Sequence, residues 1–213
     1  MQTVTQKATV KATTPKKRKR DEKILVVPRL NLFGPSSPQG MIQVEEKKIY
    51  GVIDTFKKFE WRSKVEQNPS LKQIIPYIIY KFEDKIFVMQ RADQSSEQRL
   101  KSKYSIGIGG HVRKSDLSKK SIFNWARREL KEEVNFSGSF KTSFLGLLND
   151  ESDEVGQVHT GFVYLMEGDT DEISVKSELQ SGQLVAMKDC RRLYKHMERW
   201  SQIAFKFIVE NKI

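Results

Sequence analysis

The chain has 213 residues, 38% of them hydrophobic and 31% charged, with a formal net charge of +11 and one cysteine. That length suits one domain with an appendage and a sizeable core. A single cysteine excludes an internal disulfide, and no apolar run approaches the roughly 20 residues that cross a bilayer as a helix. No apolar stretch follows the N-terminal basic residues as it would in a secretory signal, so a cytoplasmic protein is expected, or a nuclear one in a eukaryotic host.

Residues 1–22 are rich in Thr, Lys, Gln and Ala and should be a disordered basic tail. Residues 1–23 hold eight basic side chains against Asp21 and Glu22, more than half of the net charge. The cluster PKKRKR at 15–20 allows nucleic-acid contact or an import-like signal, although a solubilising tail is the plainer reading. Residues 23–213 are expected to form a single domain, with 23–70 as an N-terminal extension packed on it. Ile24–Val27 reads as a strand stopped by Pro28, and Tyr50, Ile53, Phe56 and Phe59 recur at helical spacing within 41–66. These aromatics, with Trp61, read as core before they read as a pocket for a base.

Ile74–Lys81 and Lys85–Arg91 read as a hairpin closed by a Glu83-Asp84 turn. Arg91 then leads into the loop 92–103, and Arg91 with the loop's Arg99, Lys101 and Lys103 offers charge to substrate phosphates; arginine would bind them bidentately. From Tyr104 to Phe136 the chain predicts a short strand, a bend at Gly109-Gly110, a polar loop and a helix. On that helix Phe123, Ala126, Leu130 and Val134 form an apolar stripe, and Glu129, Glu132 and Glu133 lie within an arc of roughly 100° beside it. Like charges four apart disfavour a helix by roughly 0.2–0.5 kcal/mol. A divalent cation would compensate, and so would Arg127, Arg128 and Lys131 on an ordinary solvated face.

Phe144–Leu148 and Val158–Met166 read as strands around the acidic loop NDESDEVG. His111 and His159 are expected near the glycine bend, where either would contact phosphate or position water. A strand at Leu184–Met187 precedes a helix carrying Leu193, Met197, Trp200, Ala204 and Ile208. Cys190, beside Arg191 and Arg192, is a thiol whose pKa those arginines could lower.

The segment RELKEEVNF at 128–136, behind Gly109-Gly110, resembles the second half of the Nudix box, G-x5-E-x7-R-E-U-x-E-E-x-G-U. The resemblance implies that Glu129, Glu132 and Glu133 hold Mg²⁺, with Mn²⁺ able to substitute, and that Arg128 is an ion-pair partner of one glutamate. It also implies a Nudix-type α/β/α sandwich with a mixed β-sheet between helices, a small-molecule nucleotide substrate, and a homodimer as one plausible state. In this family a glutamate outside the box often serves as base or extra ligand; Glu151 is the candidate, with Asp150, Asp153 and Glu154 as rivals. The phrases LKQIIPYIIY, RLKSKYSIGIGGHV, LGLLNDES and GQVHTGFVY resemble a bacterial and phage branch with a longer loop, so the likeness spans about residues 24–205.

The departures lie in the first half of the box. Seventeen residues separate Gly110 from Arg128 where the family has 13, and the first glutamate is absent or replaced by Asp116. Asn135 stands for the late glycine, a substitution that a left-handed helix end tolerates. The expected activity is Mg²⁺-dependent hydrolysis of a phosphoanhydride in a nucleoside diphosphate linked to another group, with Gly109 and Gly110 admitting the substrate closely. The alternatives are a Nudix-fold module that binds a nucleotide without cleaving it, and a nucleic-acid partner working through the tail.

Overall fold

The structure is a computed structural model describing residues 21–91, 103–118, 121–176 and 179–213; the basic cluster and the positions of Arg99 and Lys101 lie outside them. In chain order the elements are β1 (Lys23–Pro28), α1 (Arg29–Phe33), β2 (Gly40–Ile42), α2 (Glu46–Phe56), β3 (Lys58–Trp61), α3 (Arg62–Val65), β4 (Leu71–Phe82) and β5 (Lys85–Arg91). There follow β6 (Tyr104–Ser105), β7 (Gly107–Gly109), a 3₁₀ turn at Lys114–Ser118, α4 (Ile122–Trp125), α5 (Arg127–Glu133), β8 (Val134–Phe136) and β9 (Phe140–Asn149). The chain ends with α6 (Glu154–Val158), β10 (His159–Gly168), β11 (Ile173–Val175), β12 (Leu179–Ala186), α7 (Met187–Leu193) and α8 (Arg199–Glu210).

The main sheet runs β12-β5-β4-β10-β9-β2, with β1 and β7 also paired to β4, β3 to β1, and β6 to β5. Only β4 and β10 run parallel among the described pairs, which makes the sheet mixed. Side chains of β4 alternate between two cores, as the period of two in a strand requires. Ile74, Ile78 and Tyr80 pack with Ile49 and Ile53 of α2 and Ile122, Phe123 and Trp125 of α4. Tyr77 and Ile79 pack with Cys190 of α7 and Ala204, Phe205 and Ile208 of α8. Helices thus cover both faces, an α/β/α sandwich. Fully burying one such isoleucine contributes roughly 1.5–3 kcal/mol, and β4 supplies three with no exposed surface.

Pro76 sits in the middle of this central strand, where its missing N–H would break a ladder. It is tolerated because that edge of β4 is shared: β1 pairs with 71–73 and β7 with 77–79, which leaves Pro76 in the gap. The chain fills the gap as it leaves β7 through Gly110 and His111, and Val112 then accepts a hydrogen bond from the Leu25 N–H at 2.8 Å. The irregularity of the sheet therefore places the glycine bend against the centre of the fold.

Several expectations require correction. The 41–66 region is not one helix; 46–56 and the single turn 62–65 are helical, and Phe59 belongs to β3 between them, where it faces Leu25 of β1. Trp61 is 40% exposed and carries Lys23 over its ring. Asp21 and Glu22 join the folded part, bonded to Ser63 and to Arg113. The C-terminal helical pattern is interrupted between Leu193 and Arg199 by a 3₁₀ turn at Tyr194–His196. Burial, with Asp189 adding to it, raises the Cys190 thiol to about 11, the opposite of activation by its neighbouring arginines. No helix among the described residues is long and apolar enough to cross a membrane.

Candidate functional site

The predicted carboxylate helix forms in two pieces. α4 and α5 meet at Ala126, and α5 stops at Glu133 because Val134 turns extended, with φ −131° and ψ 152°. Val134 and Phe136 belong to the core beneath the sheet, and burying both from consecutive helical turns is replaced here by strand pairing of β8 with β11. The freed helix-end carbonyls are met by one residue, since the Lys176 backbone N–H donates to Glu133 and its ammonium to Lys131. Asn135 consequently lies in β8 opposite Ser174, not in the left-handed turn expected of it.

At the N-terminal side of α5, Arg128 gathers the acidic groups. Its Nη1 lies 2.6 Å from Glu129 Oε1 and 3.0 Å from Glu132 Oε2. Its Nε and Nη2 reach the two oxygens of Asp116 at 3.3 and 3.2 Å, and Nη2 also donates to the His111 carbonyl at 2.9 Å. Partial burial opposes the guanidinium's charge, but Asp116 and Glu129 more than offset that and hold its pKa above the ordinary arginine value. Asp116 also accepts from the Arg113 N–H at 2.8 Å, which ties the 3₁₀ turn to the helix. The extra residues of the loop therefore follow Asp116 in the chain, and the acid six places after Gly110 is the one that meets Arg128.

Gly110 lies against Glu129: a Cβ there would stand 2.4 Å from the carboxylate carbon. One at Gly109 would stand 2.4 Å from the Pro76 carbonyl. The backbone obstacle makes glycine necessary at Gly109, whereas a side chain at Gly110 would push the Glu129 carboxylate aside. Glu132 is 55% exposed and Glu129 18%, so the cluster opens from a buried root to solvent. Among the described residues no three of His, Cys, Asp and Glu are arranged to enclose a metal ion. The donor chemistry nevertheless suits a hard divalent ion. Glu129 and Glu132 share one guanidinium nitrogen, at 2.6 and 3.0 Å, so two carboxylates already converge on one point, and carboxylate oxygens are the donors such an ion takes.

The two predicted histidines do meet. His111 Nε2 lies 3.2 Å from His159 Nε2 and 2.7 Å from Gln73 Oε1, and His159 Nδ1 donates to the Val155 carbonyl at 2.7 Å. Burial first, then Arg62, His159, Arg128 and Arg113, holds His111 well below the usual histidine range. Their Nε2 atoms face each other and Gln73.

Glu151 lies in a different setting from the one expected of a base. It takes Arg29 through both oxygens, at 2.9 and 3.1 Å, and Lys72 at 2.8 Å. Burial would raise its pKa, yet the bonds from Arg29 and Lys72 bring it down to about 2. Lys72 has no exposed surface, donates also to the Gly156 carbonyl, and is itself lowered by burial. A carboxylate held this way is a poor proton acceptor near neutrality. Among its rivals Asp150 pairs with Arg199, Asp153 caps α6 through the Gly156 N–H, and Glu154 is exposed. A cavity of about 500 Å³ beside Glu151 is lined by Arg29, Leu30, Pro69, Ser70 and Gln157. Arg91 closes β5 as expected of the backbone.

Sequence reasoning left Asp116 undecided and did not see Gln73 or Lys72. The count of six from Gly110 pointed to Asp116; a lysine and a glutamine inside an apolar strand were the available signals for the others.

No family model matches this sequence. Protein YmaB of Bacillus subtilis (strain 168) is 31% identical over 199 residues, which cover 86% of this chain and 96% of that protein. The crystal structure of Tm1382, a candidate Nudix hydrolase, is 30% identical, covers 90% of this chain and all of its own, and superposes with a TM-score of 0.76. The NUDIX domain of Shewanella oneidensis NrtR, solved with ADP ribose, shares the fold at 11% identity and a TM-score of 0.53, covering 67% of this chain and 89% of that domain.

Proposed function

The chain belongs to the Nudix family, and from that premise we propose that it is a divalent-metal-dependent hydrolase cleaving a phosphoanhydride in a nucleoside diphosphate linked to another group. The observation that carries this reading is the charge imbalance at Arg128: one guanidinium faces Asp116, Glu129 and Glu132, a surplus of negative charge at the glycine bend. Glu129, Glu132 and Glu133 are the proposed holders of Mg²⁺ or Mn²⁺. Such an ion, when bound, neutralises charge on phosphate oxygens and lowers the pKa of an attacking water.

The chain's own residues supply placement. Gly109 and Gly110 leave backbone close to the site with no side chain to intrude, and Asp116 fixes Arg128, which in turn aims Glu129. Substitution at phosphorus needs positioning and charge neutralisation more than covalent help, which fits a site with no serine or cysteine in contact with this cluster among the described bonds. Glu151 is assigned a structural part, and the acidic loop does not supply the base through it.

The test is a panel of sugar nucleotides, dinucleoside polyphosphates, dinucleotide cofactors and oxidised nucleotides, incubated with Mg²⁺ or Mn²⁺ and read by product mass. Cleavage by the wild type and none by Glu132→Gln supports the hydrolase. Binding of a panel member by both proteins without cleavage by either establishes the nucleotide-binding module instead.

A further inference from the structure

The pairing of His111 with His159 lies outside the carboxylate cluster, yet each link between them and Glu129 is a short contact. His159 is fixed by the carbonyl of Val155 in α6, and its Nε2 meets that of His111, whose ring also meets Gln73 of β4. The carbonyl of the same His111 receives Arg128 Nη2 at 2.9 Å, and Arg128 Nη1 reaches Glu129 at 2.6 Å. Gly110, the residue before His111, packs on the Glu129 carboxylate.

We infer that Gln73, His111 and His159 form a positioning relay: hydrogen bonds near the N-terminal ends of β4 and β10 set the His111 backbone, and through Arg128 they set the direction of Glu129. The donors and acceptors are consistent with this. A carbonyl only accepts, so His159 carries its proton on Nδ1, and in the uncharged ring its Nε2 is an acceptor. His111 then offers Nε2–H to His159 and to Gln73 Oε1, and needs no charge to do so. Every one of these bonds is made by uncharged rings, so the relay transmits orientation and not a proton. Groups that orient ligands in this way typically change metal affinity or activity by about 10–100-fold when removed.

This inference rests on the proposed metal-holding role of Glu129. The test uses the full chain with Mn²⁺ as probe, its affinity read by electron paramagnetic resonance. His159→Phe should weaken Mn²⁺ binding at least about tenfold, and Gln73→Leu should weaken it in the same direction. His159→Gln, whose amide oxygen can take the acceptor part of Nε2, should restore most of it. In an Arg128→Met background the His159→Phe change should add little, because the link through which it acts is gone. Full additivity of the two changes, or no recovery in His159→Gln, overturns the relay while leaving the metal site intact. If Glu129→Gln itself leaves Mn²⁺ affinity unchanged, the metal reading and the relay fall together. Nitrogen NMR of the imidazoles gives a readout independent of stability: opposite tautomers, Nδ1–H in His159 and Nε2–H in His111, are expected, and matching tautomers overturn the arrangement.

Discussion

Two clusters of charge in this molecule are built from the same side-chain types in opposite proportion. Around Arg128 one cation serves three carboxylates; around Glu151 one carboxylate serves two cations, one of them a lysine with no exposed surface. The first is left with negative charge at a glycine bend and grades out to solvent. The second has every oxygen of its carboxylate engaged and ties α1, β4 and the loop before α6 together. Identical residue types thus do different work: surplus negative charge is what a divalent cation can answer, whereas a satisfied acid holds structure.

Substitutions sharpen the contrast. The largest effect is expected for Glu132→Gln, which should lower turnover about 1,000-fold or more, some 4 kcal/mol in the barrier. Because this side chain is 55% exposed, the urea midpoint should scarcely move. Glu151→Gln should do the reverse. It leaves Lys72 buried without a counter-charge, which costs about 3 kcal/mol of stability by urea denaturation, while turnover per folded molecule stays within a few-fold. If Glu151→Gln instead abolishes turnover at unchanged stability, the division between the clusters is broken.

Smaller effects test the links inside each cluster. Asp116→Asn keeps the shape of the side chain but removes charge from Arg128, and should reduce Mn²⁺ affinity about 10–100-fold. Acid titration probes the other cluster. Glu151 has a folded-state pKa of about 2 against an ordinary value of 4.5, so the unfolded chain takes up the proton first as pH falls. Its contribution is whole above about pH 4.5 and declines toward pH 2, with a slope of up to about 1.4 kcal/mol per pH unit. Glu151→Gln should lack that component of the slope, and an unchanged slope would remove Glu151 from the account of acid stability.

How far these clusters were legible in the sequence differs for physical reasons. The hairpin was readable because Glu83, at φ 52°, and Asp84 form a two-residue turn between runs of β-favouring residues. The helical face around Glu129 was readable from spacing, but its break at Ala126 and its end at Glu133 were not, because both follow from where Val134 and Phe136 find their core and strand partners. Phe59 fits a helical period equally well and was drawn into β3 by pairing with β1, a contact 34 residues distant in the chain. Glu151 is the clearest case. Its partners Arg29 and Lys72 are 122 and 79 positions away, so an acidic loop read alone gives no sign that this acid is already taken.

The most direct measurement is the count of Mn²⁺ ions bound per chain, by electron paramagnetic resonance, in the wild type, Glu129→Gln and Glu151→Gln. Binding retained in folded Glu151→Gln and lost in Glu129→Gln is the predicted pattern. Binding that survives Glu129→Gln and disappears with Glu151→Gln would place the ion in the wrong cluster and contradict the assignment.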